Sequence, residues 1–206
     1  MTIAALSLRL IVLLTLLSST AAMAAATILV FGDSLSAGYG LAAEQSWPTL
    51  LARRLAEGQL PYTVINASIS GETTAGGRSR LPAVLQRTQP AVVLIALGAN
   101  DGLRGLPLME MRDNLAAMVR AAKERKSRVL LVGMKLPPNY GTDYPRDFEQ
   151  SFERVAHQEK AALLPFLLAP IALEAGAFQA DGLHPTAAAQ ARILDHVWPA
   201  LRPLLR

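Results

Sequence analysis

The chain has 206 residues, 51% hydrophobic and 17% charged, with a formal net charge of +4 and no cysteine. That size and composition suit one globular domain with a full core, and exclude a disordered chain. Disulfides, thiol catalysis and cysteine-rich metal sites are excluded outright, and with no basic run or aromatic-basic interleaving the charge gives nucleic-acid binding no support.

Arg9 precedes a nearly unbroken run of Leu, Ile and Val over residues 10–17, followed by small residues. Ala22-Met23-Ala24 and Ala24-Ala25-Ala26 both fit the cleavage pattern of a secretory signal. Residues 1–24 therefore read as a signal peptide, cut as late as residue 26, and 25–206 as a single domain. The run is shorter than the ~20 residues of a spanning helix; the alternative is a retained anchor. The expectation is a periplasmic or secreted monomer with no stable membrane insertion.

Residues 27–31 (T-I-L-V-F) read as a strand. Trp47–Glu57 has helical spacing, with Pro48 near its start and Gly58 past its end. A strand is expected over 62–67, then a helix over 74–85 that Pro82 threatens to interrupt. Residues 91–97 (A-V-V-L-I-A-L) form an apolar run typical of a strand covered on both faces. A long helix over 107–126 carries Met111, Leu115, Met118 and Ala122 on one stripe. There follow a strand over 128–133, a helix over 148–160, a strand over 163–167 and a last helix over 186–201. This alternation predicts an α/β fold: a three-layer sandwich with a central parallel five-stranded sheet and right-handed crossovers. Ligands of such sheets sit at the carboxyl ends of the strands.

Four segments stand there: Gly32-Asp33-Ser34, residues 67–73 (A-S-I-S-G-E-T), residues 98–102 (G-A-N-D-G), and residues 181–185 (D-G-L-H-P). A serine hydroxyl needs a base to become a nucleophile, and histidine is the usual one. The base in turn needs a carboxylate on its other ring nitrogen. Asp181 and His184 are spaced for one short turn ahead of Pro185, which keeps the segment out of a helix. Acyl transfer also develops an oxyanion, for which the amides of Ser34 and Gly71 and the carboxamide of Asn100 are candidate donors. Apolar loops follow: Leu103, Leu106, Met134, Leu136, Pro137 and Tyr140 are candidates to line an acyl-chain groove. Gly71, Gly76 and Gly77 would let the neighbouring loop move.

Other residues read as ordinary. Asp33 and Asp101 shape turns. Glu72 is a helix-start carboxylate. His157 and His196 are surface or satisfied core residues, and no H-E-x-x-H or cysteine cluster suggests a metal. Asn66-Ala67-Ser68 fits a glycosylation pattern but falls at a strand end, where burial is expected to block it. Gly38–Ala43 matches G-x-G-x-x-A too far beyond the strand for a dinucleotide turn, and residues 71–78 lack the Lys and Ser/Thr of a P-loop. G-x-S-x-G is absent.

The four segments in order resemble the SGNH (GDSL) hydrolases, whose fold is flavodoxin-like. The strings G-D-S-L-S-A-G, N-A-S-I-S-G-E-T, G-A-N-D-G-L-R-G and P-P-N-Y-G are similar to the bacterial periplasmic branch of thioesterases, lysophospholipases and arylesterases. The resemblance implies Ser34 as nucleophile, Asp181 and His184 as the rest of a triad, and Ser34, Gly71 and Asn100 as oxyanion donors. It implies a serine hydrolase that cleaves acyl esters and thioesters (arylesters, acyl-CoA, lysophospholipids) through an acyl-enzyme, with no cofactor and no metal. Two alternatives stay open: a carbohydrate O-deacetylase of the same fold, and a non-catalytic binder of lipid or acyl chains.

Overall fold

The computed structural model describes residues 25–137 and 140–205; the expected signal peptide lies outside the described residues. Strands β1 (Ala26–Gly32), β2 (Tyr62–Asn66), β3 (Val92–Ala96), β4 (Arg128–Val132) and β5 (Ala162–Leu164) form one five-stranded sheet in the order β2-β1-β3-β4-β5. Every neighbouring pair is parallel. The chain runs outward from β1 to β2, then crosses to β3 on the other side of β1. That reversal opens a crevice at the carboxyl ends of β1 and β3, the usual ligand position in open parallel sheets.

Side chains alternate faces along a strand, so each strand feeds two cores. Ile28 and Val30 of β1 join Val92, Leu94, Leu130 and Val132 in one core. It is covered by Trp47, Leu51 and Leu55 of α2 (Trp47–Glu57) and by Ile193, Val197 and Leu201 of α7 (Gln190–Leu201). Leu29 and Phe31 point the other way, with Val93, Ile95, Val129 and Leu131. Their cover comes from α3 (Thr74–Thr88), α5 (Leu108–Glu124) and α6 (Asp143–Gln158). The three predicted layers are present. Two short helices the sequence did not announce, α1 (Ser34–Ala37) and α4 (Ala99–Leu103), start just beyond β1 and β3.

Some boundaries differ from expectation. Pro82 does not interrupt α3, which continues to Thr88. Pro82 and Arg78, whose carbonyl loses its helical partner, are both exposed, so water can take the lost bond. α6 starts at Asp143, earlier than predicted, because Pro145 falls in the first turn, where its missing N–H costs nothing. β5 ends at Leu164; the chain then turns, with the Leu167 amide donating to the Gly133 carbonyl at 3.0 Å. A 3-10 turn over Ala187–Ala189 precedes α7.

Candidate active site

Ser34 is the first residue of α1, immediately beyond β1. Asp33 caps that helix: its Oδ1 accepts the Leu35 amide at 3.0 Å, and its carbonyl accepts the amides of Ser36 and Ala37 at 3.1 and 2.8 Å. The turn needs Gly32, since a Cβ there would lie 2.9 Å from the Ala96 carbonyl oxygen. Asp33 is 2% exposed, and burial pushes its carboxyl up to about 7 against the lowering effect of the Leu35 amide; nearby Asp101 and Glu72 add to the rise.

The opposite wall comes from the other end of the chain. Phe178 and Pro185 form an antiparallel bridge, and the Gln179 amide donates to the His184 carbonyl at 2.7 Å. Between them the chain turns through Gly182, whose φ of +68° favours glycine. Asp181 Oδ1 accepts the amides of Leu183 and His184 at 2.9 and 3.0 Å, while Oδ2 meets His184 Nδ1 at 2.7 Å. The His184 amide, the imidazole and the Leu183 amide hold the Asp181 carboxyl down to about 2. An ionised carboxylate only accepts, so Nδ1 carries the proton and Nε2 presents its lone pair. That lone pair meets Ser34 Oγ at 2.8 Å. The three expected residues form one connected line, although Ser34 and His184 are 150 positions apart.

Gly71 and Asn100 line the same cavity as Ser34 and His184. Among the described residues, neither the Ser34 amide nor the Gly71 amide finds a protein acceptor. Gly71 has φ +78°, which a side chain would strain. Asn100 Nδ2 donates to the Glu72 carbonyl at 3.1 Å and so has a second hydrogen left to give. Arg104, four residues on, donates to the Gly71 carbonyl at 3.1 Å. Asp101, 3% exposed, accepts both the amide and the hydroxyl of Thr74, at 2.9 and 2.5 Å. α4 thus holds residues 71–74 in place from below.

The cavity measures about 870 Å³. Leu103, Met134, Leu136 and Pro137 line it as expected. Leu106 and Tyr140 do not, which corrects the expectation for both. The Tyr140 hydroxyl instead donates to the carbonyl of the lining residue Leu103 at 3.1 Å, and the Leu106 carbonyl accepts the Tyr144 hydroxyl at 3.0 Å. Phe166, Leu168, Ala172 and Phe178 line the cavity and were missed. Extending β5 to residue 167 hid them; a strand ending at Leu164 puts Phe166 among the residues beyond a carboxyl end. Tyr39, five residues after Ser34, also lines the cavity, and no sequence signal singles it out.

The remaining expectations divide. Glu72 does more than sit at a helix start: Arg80 grips it through two bonds, at 2.8 and 2.5 Å, and stacks its guanidinium 4.1 Å from the centroid of Phe31. Gly76 and Gly77 belong to α3, not to a loop, and Gly77 is a packing glycine, since a Cβ there would lie 2.3 Å from Leu97 Cδ1. Asn66 is exposed rather than buried, though its Nδ2 donates to the Ser36 carbonyl at 2.8 Å. His157 is exposed, and His196 Nε2 donates to the Phe166 carbonyl at 3.0 Å. Among the described residues no group of His, Asp and Glu could hold a metal, and no helix is long and apolar enough to cross a membrane.

The chain is similar to known proteins over most of its length. The chain is 50% identical over 192 residues to an esterase TesA of Pseudomonas aeruginosa, covering 93% of this chain and 96% of that protein. It is 40% identical over 184 residues to thioesterase 1/protease 1/lysophospholipase L1 of Escherichia coli, covering 89% and 87%. A crystal structure of TesA superposes with a TM-score of 0.85 at 51% identity, covering 87% of this chain and 99% of that one. Residues 30–192 match the family described as GDSL-like Lipase/Acylhydrolase. With a serine, a histidine and an aspartate aligned at the rim of a parallel sheet, the chain belongs to the GDSL-like lipase/acylhydrolase (SGNH) family.

Proposed function

We propose that this protein cleaves acyl esters and thioesters through an acyl-enzyme on Ser34. His184 Nε2 takes the Ser34 proton as Oγ attacks the acyl carbon. The oxyanion is held by the amides of Ser34 and Gly71 and by the Asn100 carboxamide; losing one such donor costs about 3 kcal/mol of transition-state stabilisation. As the intermediate collapses, His184 gives its proton to the departing alcohol or thiol. Water, deprotonated by the same imidazole, then releases the acid and frees Ser34. The observation that carries this reading is the 2.8 Å Ser34–His184 contact, with a carboxylate on the opposite ring nitrogen.

The substrate class follows from the cavity. About 870 Å³ lined by Leu103, Met134, Leu136, Phe166 and Leu168 matches an acyl chain. An acetyl group would leave most of it empty, which weighs against carbohydrate deacetylation. A lipid carrier has no use for a serine hydroxyl aligned on an imidazole. The names esterase and thioesterase/lysophospholipase, borne by two relatives, support esters and thioesters alike. In this reading residues 1–24 direct export, and residues 25–206 act as one monomeric domain in the periplasm or outside the cell.

The test is intact-mass measurement and peptide mapping after treatment with a long-chain fluorophosphonate, beside turnover of p-nitrophenyl esters. One adduct on Ser34, and loss of both labelling and turnover in Ser34→Ala, is the expected result. An adduct elsewhere, or an active Ser34→Ala, overturns the mechanism.

A further inference from the structure

The nucleophile and its base come from opposite ends of the chain, and the histidine turn is thinly anchored. Residues 180–183 are exposed, and beyond the Phe178–Pro185 bridge the turn does not add a strand to the sheet. A contact of 2.8 Å between two such segments needs something to hold it.

Two residues outside the catalytic line meet that need. The Tyr39 amide donates to the carbonyl of Ser34 at 3.2 Å. The Tyr39 carbonyl accepts Gln179 Nε2 at 2.8 Å, and the same nitrogen donates to the Pro185 carbonyl at 3.1 Å. The Gln179 main-chain amide donates to the His184 carbonyl at 2.7 Å. These four bonds run from the backbone of Ser34, through Tyr39 and Gln179, to the backbone of His184 and its neighbour, closing a ring around the Oγ–Nε2 contact. Both hydrogens of the Gln179 carboxamide are spent on it. The Tyr39 ring then lies on the imidazole, with centroids 4.4 Å apart and planes at 36°. Tyr39 is 51% exposed, so burial in the core does not hold the ring there. Gly40 leaves the space the latch needs: its φ is +73°, and a Cβ would lie 2.3 Å from Gln179 Oε1.

We propose that Tyr39 and Gln179 are positioning residues: a carboxamide latch and an aromatic rest that hold the imidazole of His184 in line with Ser34. This rests on the catalytic reading above. A misalignment of about 1 Å can cost up to a hundredfold in rate, and the latch spans the joint where such a shift arises.

The test compares Gln179→Ala, Gln179→Glu, Tyr39→Ala, Tyr39→Phe, the Tyr39→Ala/Gln179→Ala pair and Ser34→Ala in the full-length protein. It measures kcat and KM on p-nitrophenyl butanoate, the rate of fluorophosphonate labelling, and the melting midpoint. Gln179→Ala is expected to lower kcat and labelling rate together by roughly tenfold, with KM within about twofold. Gln179→Glu keeps the shape but, ionised at pH 8, donates to neither carbonyl, so it should lose as much; it stands in if the alanine variant does not fold. Tyr39→Phe, which keeps the ring, should recover most of what Tyr39→Ala loses. The double variant should lose less than the product of the singles, because both act on one joint. Wild-type kcat and labelling in both Gln179 variants overturns the proposal, as does Tyr39→Phe as damaged as Tyr39→Ala, or fully multiplicative losses. If Ser34→Ala turns substrate over, the catalytic reading itself has failed; if Ser34→Ala is inert and the Gln179 variants are unimpaired, the latch alone has failed.

Discussion

Two aspartates near Ser34 are driven in opposite directions by their surroundings. Asp181 receives two backbone amides and an imidazole, which hold its carboxyl down to about 2, so it stays ionised far into acid. Replacing it with Asn keeps an oxygen for the amides but turns an N–H₂ toward Nδ1, which reverses the tautomer and points Nε2–H at Ser34. Asp181→Asn is expected to lower kcat by about 10⁴-fold with folding intact, the magnitude of this change in a serine protease triad; a drop under tenfold would show that the carboxylate does not set the tautomer. Asp33 accepts one amide and is buried, which raises it to about 7 from an ordinary 3.8. A raised acid costs nothing below its unfolded value and its full penalty above its folded one. Relative to Asp33→Asn, which keeps the acceptor for Leu35, the native protein should therefore lose stability as pH climbs from 4 to 7, by on the order of 4 kcal/mol, and then level off. Denaturant melts of both proteins at pH 4.5, 6 and 8 measure this; a gap that does not change with pH would refute it.

At the scale of elements, the site is made by short pieces that periodicity does not announce. α1 and α4 span Ser34–Ala37 and Ala99–Leu103, too short for a hydrophobic stripe, yet they carry Ser34 and Asn100. Their residues were legible as motifs and illegible as helices. The groove was half legible, because apolar loop residues look alike whether they face a cavity or support its wall. Leu103 and Leu136 face it, while Tyr140 bonds to the Leu103 carbonyl and Leu106 to the Tyr144 hydroxyl, contacts that composition cannot reveal. The segment after β5 completes the lining, and Ala172 there is exposed and small. Ala172→Trp should fill part of the groove without disturbing the core. kcat/KM for a dodecanoyl ester is expected to fall at least about tenfold more than for a butanoyl ester, since each lost CH₂ contact forgoes about 0.8 kcal/mol. Equal losses for both esters would place the chain elsewhere.

At the scale of the whole molecule, this carboxylic ester hydrolase is closed by its own tail. α7 packs on α2 through Trp47, Leu51, Ile193 and Val197, and the Trp47 amide donates to Gln190 Oε1 at 2.9 Å. The turn bearing Asp181 and His184 leads into that helix, so undocking the tail dismantles both a core and the proposed catalytic line through Ser34. Activity and tryptophan fluorescence, from Trp47 on α2 and Trp198 on α7, should therefore be lost in one coincident guanidinium transition. Activity vanishing well before the fluorescence change would mean that the tail leaves on its own.

Strand and helix patterning set the layers, because apolar runs of strand length and helix stripes can be buried in few ways. The chemistry was legible only as a resemblance, through four motifs in the order that the SGNH hydrolases carry them. Which loop side chains face the cavity, where β5 stops, that Glu72 is bound to Arg80, and that Tyr39 and Gln179 meet beside the Ser34–His184 contact emerge only in the folded chain. Those outcomes depend on contacts between residues far apart in the chain, whose geometry is set when the sheet and its two helix layers close, and no local pattern records it.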